Sequence, residues 1–180
     1  MPFAKTWTEE LVAEWLQLNG YLVEVDLPAG VTAAGGRYAP DVVGAKISGN
    51  TLDIIHVEVG QLAGGKGSVA SLGKKFSQNI CAAVENYFRQ KLGFVAGKVN
   101  YQKMCVAGFW TKPTVNGAQR MGINVRPLPD FIQKEVSQAI QKWKTQPPHR
   151  PKTKGEIIAL PESHWLLQLI DYLKSKKLLK

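Results

Sequence analysis

The stretch PDVVGAKISGNTLDIIHVEVG, residues 40–60, decides how this chain folds. Two runs rich in β-branched and apolar residues, about 41–47 and 51–59, flank Ser48-Gly49-Asn50-Thr51. Gly-Asn between such runs reads as a two-residue hairpin turn. That turn pairs Ser48 with Thr51, and each step outward fixes the next pair. Lys46 falls opposite Asp53, a favourable pair that supports the register independently. Asp41 falls opposite Glu58. Opposed side chains have Cβ atoms about 4.5–5.5 Å apart, so two carboxylates there repel unless a proton or cation lies between them. Magnesium suits such a pair, because it binds one or two carboxylates and fills its other positions with water and phosphate. The competing reading is a solvent-exposed carboxylate pair at the sheet end. The Gly/Ala-rich stretch 28–36 and the glycine-rich stretch 60–67 weigh against it, because they leave space around the pair.

Outward from the hairpin, Leu11, Trp15 and Leu18 repeat at helical spacing, with Thr6 or Thr8 as cap and Asn19-Gly20 as stop, predicting a helix over about 8–18. Residues 21–25 read as a strand. Downstream, Ala70, Phe76, Ile80, Val84, Tyr87 and Phe88 form the stripe of one long helix over about 68–92, closed by Gly93. Strands follow at about 104–110 and 122–125, and then a helix over 131–143 capped by Asp130. A Pro- and Lys-rich connector, a short strand at 157–159 and a helix over 162–178 complete the chain. This order predicts an α/β fold, a mixed central sheet with an antiparallel hairpin core flanked by helices. Residues 1–145 form the main domain, and 146–180 a basic connector and terminal helix packed on it.

The 180 residues suffice for one buried core, and 44% hydrophobic with 21% charged content is ordinary for a globular chain. The first residues lack the apolar run of a signal peptide, and no run approaches the roughly 20 residues of a membrane span. Cys81 and Cys105 are expected to be free thiols of a reducing cytoplasm, and no Cys/His spacing suggests zinc. The net charge of +9 is uneven: residues 1–60 hold three basic and eight acidic side chains, net −5, leaving +14 for the remainder. An acidic part joined to a strongly basic part suggests a cation site beside a polyanion-binding surface.

Pro40-Asp41, and Glu58-Val59-Gly60 after the apolar run 52–57, resemble the signature of the PD-(D/E)XK nucleases, the restriction-endonuclease-like superfamily. The opening Glu9-Glu10-Leu11-Val12, followed by Gly20-Tyr21 and a strand, resembles the family's first helix. The resemblance covers roughly residues 6–145. It implies a Mg²⁺-dependent DNA endonuclease, with Mn²⁺ as a substitute ion, in which Asp41 and Glu58 hold the metal and Glu9 adds a third ligand. A homodimer is one arrangement common to such DNA-cutting enzymes. One departure is serious: the family's lysine position is Gly60 here. That lysine helps position the attacking water and stabilise charge in the transition state. Lys66, or Lys74 and Lys75, are the substitutes within reach along the chain. Without a substitute, the fold becomes a catalytically inactive DNA-binding or assembly subunit.

Gln78 lies on the helix that borders the active site in this superfamily, and Glu85 two turns beyond it. His56 shares a strand face with Glu58 and is expected to be packed or hydrogen-bonded. Lys142, Lys144, Arg150, Lys152 and Lys154 form a basic tract of the kind that contacts phosphates without reading sequence.

Overall fold

The Gly49-Asn50 turn sets the centre of the sheet. In the computed structural model, which describes residues 4–31, 37–148 and 152–179, β4 (Val42–Ser48) and β5 (Thr51–Leu62) pair antiparallel with Ser48 against Thr51, Lys46 against Asp53 and Val42 against Val57. This is the register read from the turn. Gly49 adopts φ 60, a conformation that glycine enters without the steric cost of a Cβ. On one side β4 pairs antiparallel with β1 (Leu22–Val25). On the other, β5 pairs parallel with β6 (Lys98–Trp110), which pairs parallel with β7 (Asn124–Pro127). The result is a five-stranded mixed sheet of order β1-β4-β5-β6-β7. A separate two-stranded ribbon, β2 (Gly30–Val31) and β3 (Arg37–Tyr38), occupies part of the stretch expected to be loop.

Helices cover both faces, so the central strands are apolar on both sides. One face carries α1 (Trp7–Leu18), a continuous helical run made of α5 (Leu128–Asp130), a π-helical stretch (Phe131–Val136) and α6 (Ser137–Thr145), and finally α7 (Trp165–Ser175). Leu11, Leu16, Val42, Ile55, Val57, Val106, Phe131 and Leu167 form the core there. Gly44 lets α1 lie close to β4, because a Cβ would stand 3.1 Å from Leu16 and from Tyr21. The other face carries α2 (Gly65–Lys75), α3 (Gln78–Lys91) and α4 (Lys112–Arg120). Val43, Ile54, Val84 and Phe88 pack there, with Leu72, Phe76, Ala107 and Ile123 in an adjoining cluster.

Several expected elements differ. The single helix over 68–92 is two helices, broken where Ser77 turns extended (φ −60, ψ 155). Phe76 is buried at the break against the His56 ring, centroids 4.4 Å apart, and Lys103 Nζ bonds its carbonyl at 3.3 Å. The stretch 60–67 is mostly ordered, because β5 runs on to Leu62 and α2 starts at Gly65. Helix α4 was not expected. Asp130 lies inside a helical run, with no side-chain capping bond, and pairs with Lys134 at 3.7 Å. Residues 157–159 form no strand; Ala159 instead accepts a hydrogen bond from Trp143 Nε1 at 3.0 Å. The terminal segment does pack on the main domain. Glu14 of α1, buried, accepts the Leu166 and Leu167 N–H groups at 3.2 and 2.9 Å and so caps α7. No helix among the described residues is long and apolar enough to cross a membrane.

Candidate active site at the carboxylate pair

The hairpin register carries Asp41 and Glu58 to the same sheet face, beneath the C-terminal end of α2. Asp41 Oδ2 accepts the Val59 N–H at 2.8 Å, which fixes its carboxylate beside β5. Glu58 is 1% exposed, too buried to be a solvated pair at the sheet end. Lys75, in the last turn of α2, places its ammonium between the two carboxylates. It bonds Glu58 Oε2 and lies 3.4 Å from Asp41 Oδ2.

A second chain of hydrogen bonds holds Glu58 from behind. His56 Nε2 lies 3.0 Å from Glu58 Oε1, and His56 Nδ1 lies 2.9 Å from the Tyr101 hydroxyl. Burial holds the His56 pKa below its ordinary value, so the ring is neutral near pH 7. Burial pushes the Tyr101 phenol well up, so it keeps its proton. The consistent assignment has Tyr101 O–H donating to Nδ1 and His56 Nε2–H donating to Glu58.

The two carboxyls are unequal. Burial pushes Glu58 up, but the His56 hydrogen bond and the Lys75 charge outweigh it and hold the group below its usual range. Burial and the facing Glu58 push Asp41 up to about 6, against the lowering by Val59 N–H and Lys75. Lys75 is pulled down by burial but raised further by Glu58 and Asp41, so it stays charged. Glu58 therefore carries the settled negative charge, and Asp41 the marginal one. Cys105, opposite Glu58 on β6, is pushed up to about 12 by burial and by Glu58; it is a thiol, not a thiolate.

A cleft of about 170 Å³ opens beside the pair, with Glu58 to Leu62 and Cys105 on one side and Ser68, Ser71, Leu72 and Lys75 of α2 on the other. Gly60 forms part of its lining. A Cβ there would meet nothing within 4 Å, so the missing side chain is open space rather than a packing need.

The other expected residues fall elsewhere. Glu9 is committed to the start of α1: its Oε2 accepts the Lys5 N–H at 2.7 Å, and its own N–H donates to Thr6 Oγ1 at 3.2 Å. Among the described residues no group of three or more His, Cys, Asp and Glu is arranged to hold a metal ion, so Glu9 does not join the pair. Of the three candidate lysines only Lys75 reaches the carboxylates. Lys74 is exposed beside it, and Lys66 is exposed in the first turn of α2, about 14 Å of helix axis away. Gln78 is exposed at the start of α3, beyond the break. Lys142, at the start of the basic tract, lies toward the opposite end of the hairpin. Lys142 and Lys46 line one groove, and Lys46 is five residues, roughly 17 Å, along β4 from Asp41. Lys144 bonds Asp171 at 2.5 Å, Lys152 and Lys154 are exposed, and Arg150 lies outside the described residues. Tyr101 was not anticipated, and its only signal was the alternation of β6; Cys105 was expected only as a free thiol on a strand, not beside Glu58.

No protein family matches the chain, and no curated protein matches it. Among solved structures, the crystal structure of a protein of unknown function, AF1548, is similar at 14% identity with a TM-score of 0.43. The likeness covers 73% of this chain and spans 64% of that one.

Proposed function

We propose that this chain is a metal-dependent DNA nuclease of the PD-(D/E)XK type, in which Lys75, supplied by α2, replaces the lysine missing at Gly60. The observation that carries the reading is the Lys75 ammonium set between Asp41 and Glu58. A strand-borne lysine two residues after Glu58 would share its face; Lys75 reaches the same carboxylates from the opposite wall of the cleft.

The donor set suits Mg²⁺ or Mn²⁺. Two hard carboxylates face each other, one so poorly compensated that it holds a proton up to about pH 6, beside a cleft open to water and phosphate. Asp41 and Glu58 would hold the ion. When bound, it supplies Lewis-acid polarisation of the phosphate and of an attacking water. His56 keeps Glu58 oriented and ionised, as outer hydrogen bonds do for metal-binding carboxylates. Lys75 is the cation available to stabilise charge developing on the scissile phosphate. Space at Gly60 admits the backbone to the cleft.

One observation favours a second reading. Lys75 already offsets one of the two carboxylate charges, and a buried ion pair can be purely structural. The chain is then a nuclease-like DNA-binding or assembly subunit without catalysis. A plasmid-nicking assay with Mg²⁺ or Mn²⁺, run beside Asp41→Asn, Glu58→Gln and Lys75→Met, separates the two. Metal-dependent cutting lost in all three variants is the outcome expected. Absence of cutting, with DNA binding that weakens as salt rises, supports the second reading.

A further inference from the structure

The site end of the sheet carries an aromatic side chain that the fold leaves uncovered. Trp110 is 41% exposed at the end of β6, although tryptophan is usually among the most buried residues on average. Its direction is set by a bulge. β5 and β6 pair as Glu58 with Cys105 and Gly60 with Ala107, but then as Gln61 with Phe109 and Leu62 with Trp110. Gly108 is the extra residue. Without it, strand alternation would put Phe109 on the face of Glu58 and Trp110 on the other. With it, Trp110 sits opposite Leu62, whose side chain packs against Leu72 and Ala118 on the face that holds Glu58 and Lys75. Bulges commonly re-aim a side chain beside a functional site. Along β5, Leu62 is four residues from Glu58, about 13 Å.

The backbone that carries Trp110 is fixed on both sides. The Leu62 carbonyl accepts the Thr114 hydroxyl, and the Thr111 N–H donates to Thr114 Oγ1 at 3.1 Å, so α4 begins directly after the tryptophan. Lys66 follows Leu62 into the first turn of α2, and Lys112 follows Trp110 into the first turn of α4. Both are exposed and neither is ion-paired among the described residues. Residues 59–129 hold ten basic side chains and one acidic one, Glu85. Lys75, Arg89, Lys91 and Arg126 are ion-paired, and the excess that remains, Lys66 and Lys112 included, complements a polyanion.

An exposed indole carried on a held backbone in a basic setting can stack on a base, and only an unpaired base offers its face. We infer that Trp110 is a base-stacking platform between Lys66 and Lys112, and that the substrate class of this site is DNA with single-stranded character, such as a splayed end or flap, rather than continuous duplex. The inference rests on the nuclease reading for the word substrate; the binding it describes does not need catalysis.

The test is therefore made in EDTA. Anisotropy of a fluorescein-labelled single strand, a forked duplex and a blunt duplex is titrated with the parent protein, Trp110→Ala, Trp110→Phe and Lys66→Ala/Lys112→Ala. The parent is expected to bind the single strand and the fork more tightly than the blunt duplex. Trp110→Ala should weaken the first two by roughly 5- to 100-fold, the usual worth of one stacked base, and leave the duplex unchanged. Trp110→Phe should retain most of the affinity, and the double lysine variant should weaken all three DNAs and flatten their salt dependence. Thermal melting checks that each variant folds. Equal or tighter binding of the blunt duplex overturns the inference, as does Trp110→Ala binding like the parent, or a loss shared equally by the duplex, which would mark a wedge into paired DNA. Failure of the nuclease reading looks different: tryptophan-dependent binding with no cutting of the single strand, the fork or plasmid in Mg²⁺. Cutting of the fork that is indifferent to Trp110 overturns this inference and leaves the nuclease standing.

Discussion

Replacing Asp41 by asparagine is expected to stabilise the protein, and to do so only as pH rises. The fold moves the Asp41 pKa from 3.8 to about 6, chiefly through burial and the facing Glu58. At 1.36 kcal/mol per pKa unit, that corresponds to about 3 kcal/mol. A carboxyl with a raised folded pKa binds its proton more tightly in the fold. Below about pH 4 it is protonated folded and unfolded alike, and its charge costs nothing. As pH rises through about 6 the cost becomes complete. Asparagine can still accept the Val59 N–H through its amide oxygen, and it carries no charge. Losing the 3.4 Å contact to Lys75 offsets part of the gain, so about 1–3 kcal/mol is expected near pH 8, falling toward zero near pH 4. Urea denaturation of both proteins across that range measures it. A difference that is flat with pH, or a parent more stable near pH 8, refutes the reasoning. Mg²⁺ adds an independent arm. At a hundredfold excess over its Kd it adds about 2.7 kcal/mol to the parent, and little to Asp41→Asn. Equal stabilisation of both would put the ion elsewhere.

Three further outcomes follow from the same geometry. Lys75→Met should lower nicking by at least about 100-fold, the scale of losing one cation or donor at a developing charge, and should raise the Glu58 pKa, read by carboxyl NMR titration. Gly60→Lys should fold, since a Cβ there meets nothing within 4 Å; placed on Glu58's strand face, it should restore part of the nicking lost in Lys75→Met. Glu14→Ala should cost about 1–2 kcal/mol through loss of the α7 cap, with faster hydrogen exchange at Leu166 and Leu167 than elsewhere in the core.

The hairpin was legible because a two-residue turn leaves one register, and Lys46 against Asp53 agrees with it. The facing of Asp41 and Glu58 came with that register. The lysine was legible only as one of three, because helix spacing does not say where a break will fall. The break at Phe76 and Ser77 is a tertiary effect, made by the burial of Phe76 against His56 and by Lys103 on its carbonyl. Helix α4 was invisible for a related reason. Its sequence, KPTVNGAQR, has poor helix propensity, and it forms through the Thr111–Thr114 capping arrangement and close packing on α2, where Gly117 faces Val69. The first half of β6 did carry a signal: Val99 and Tyr101 alternate with polar residues. The tract at 142–154 is legible as a dense run of basic residues, whereas the ten of 59–129 are spread along the sequence with a single acidic residue, Glu85, among them.

The break between α2 and α3 also decides what can be uncoupled from what. A lysine in β5 would be tied to the ladder and could leave the carboxylates only if the sheet opened. Lys75 instead stands at the tip of an eleven-residue helix whose one buried residue is Leu72. Loosening of that helix end would withdraw the positive charge and leave two facing carboxylates on the sheet, and the buried Phe76 next to Lys75 is the contact that opposes it. Charge balance at the pair is thus set by a helix end rather than by the sheet, and on the proposed reading a cation entering the pair would compete with that helix end.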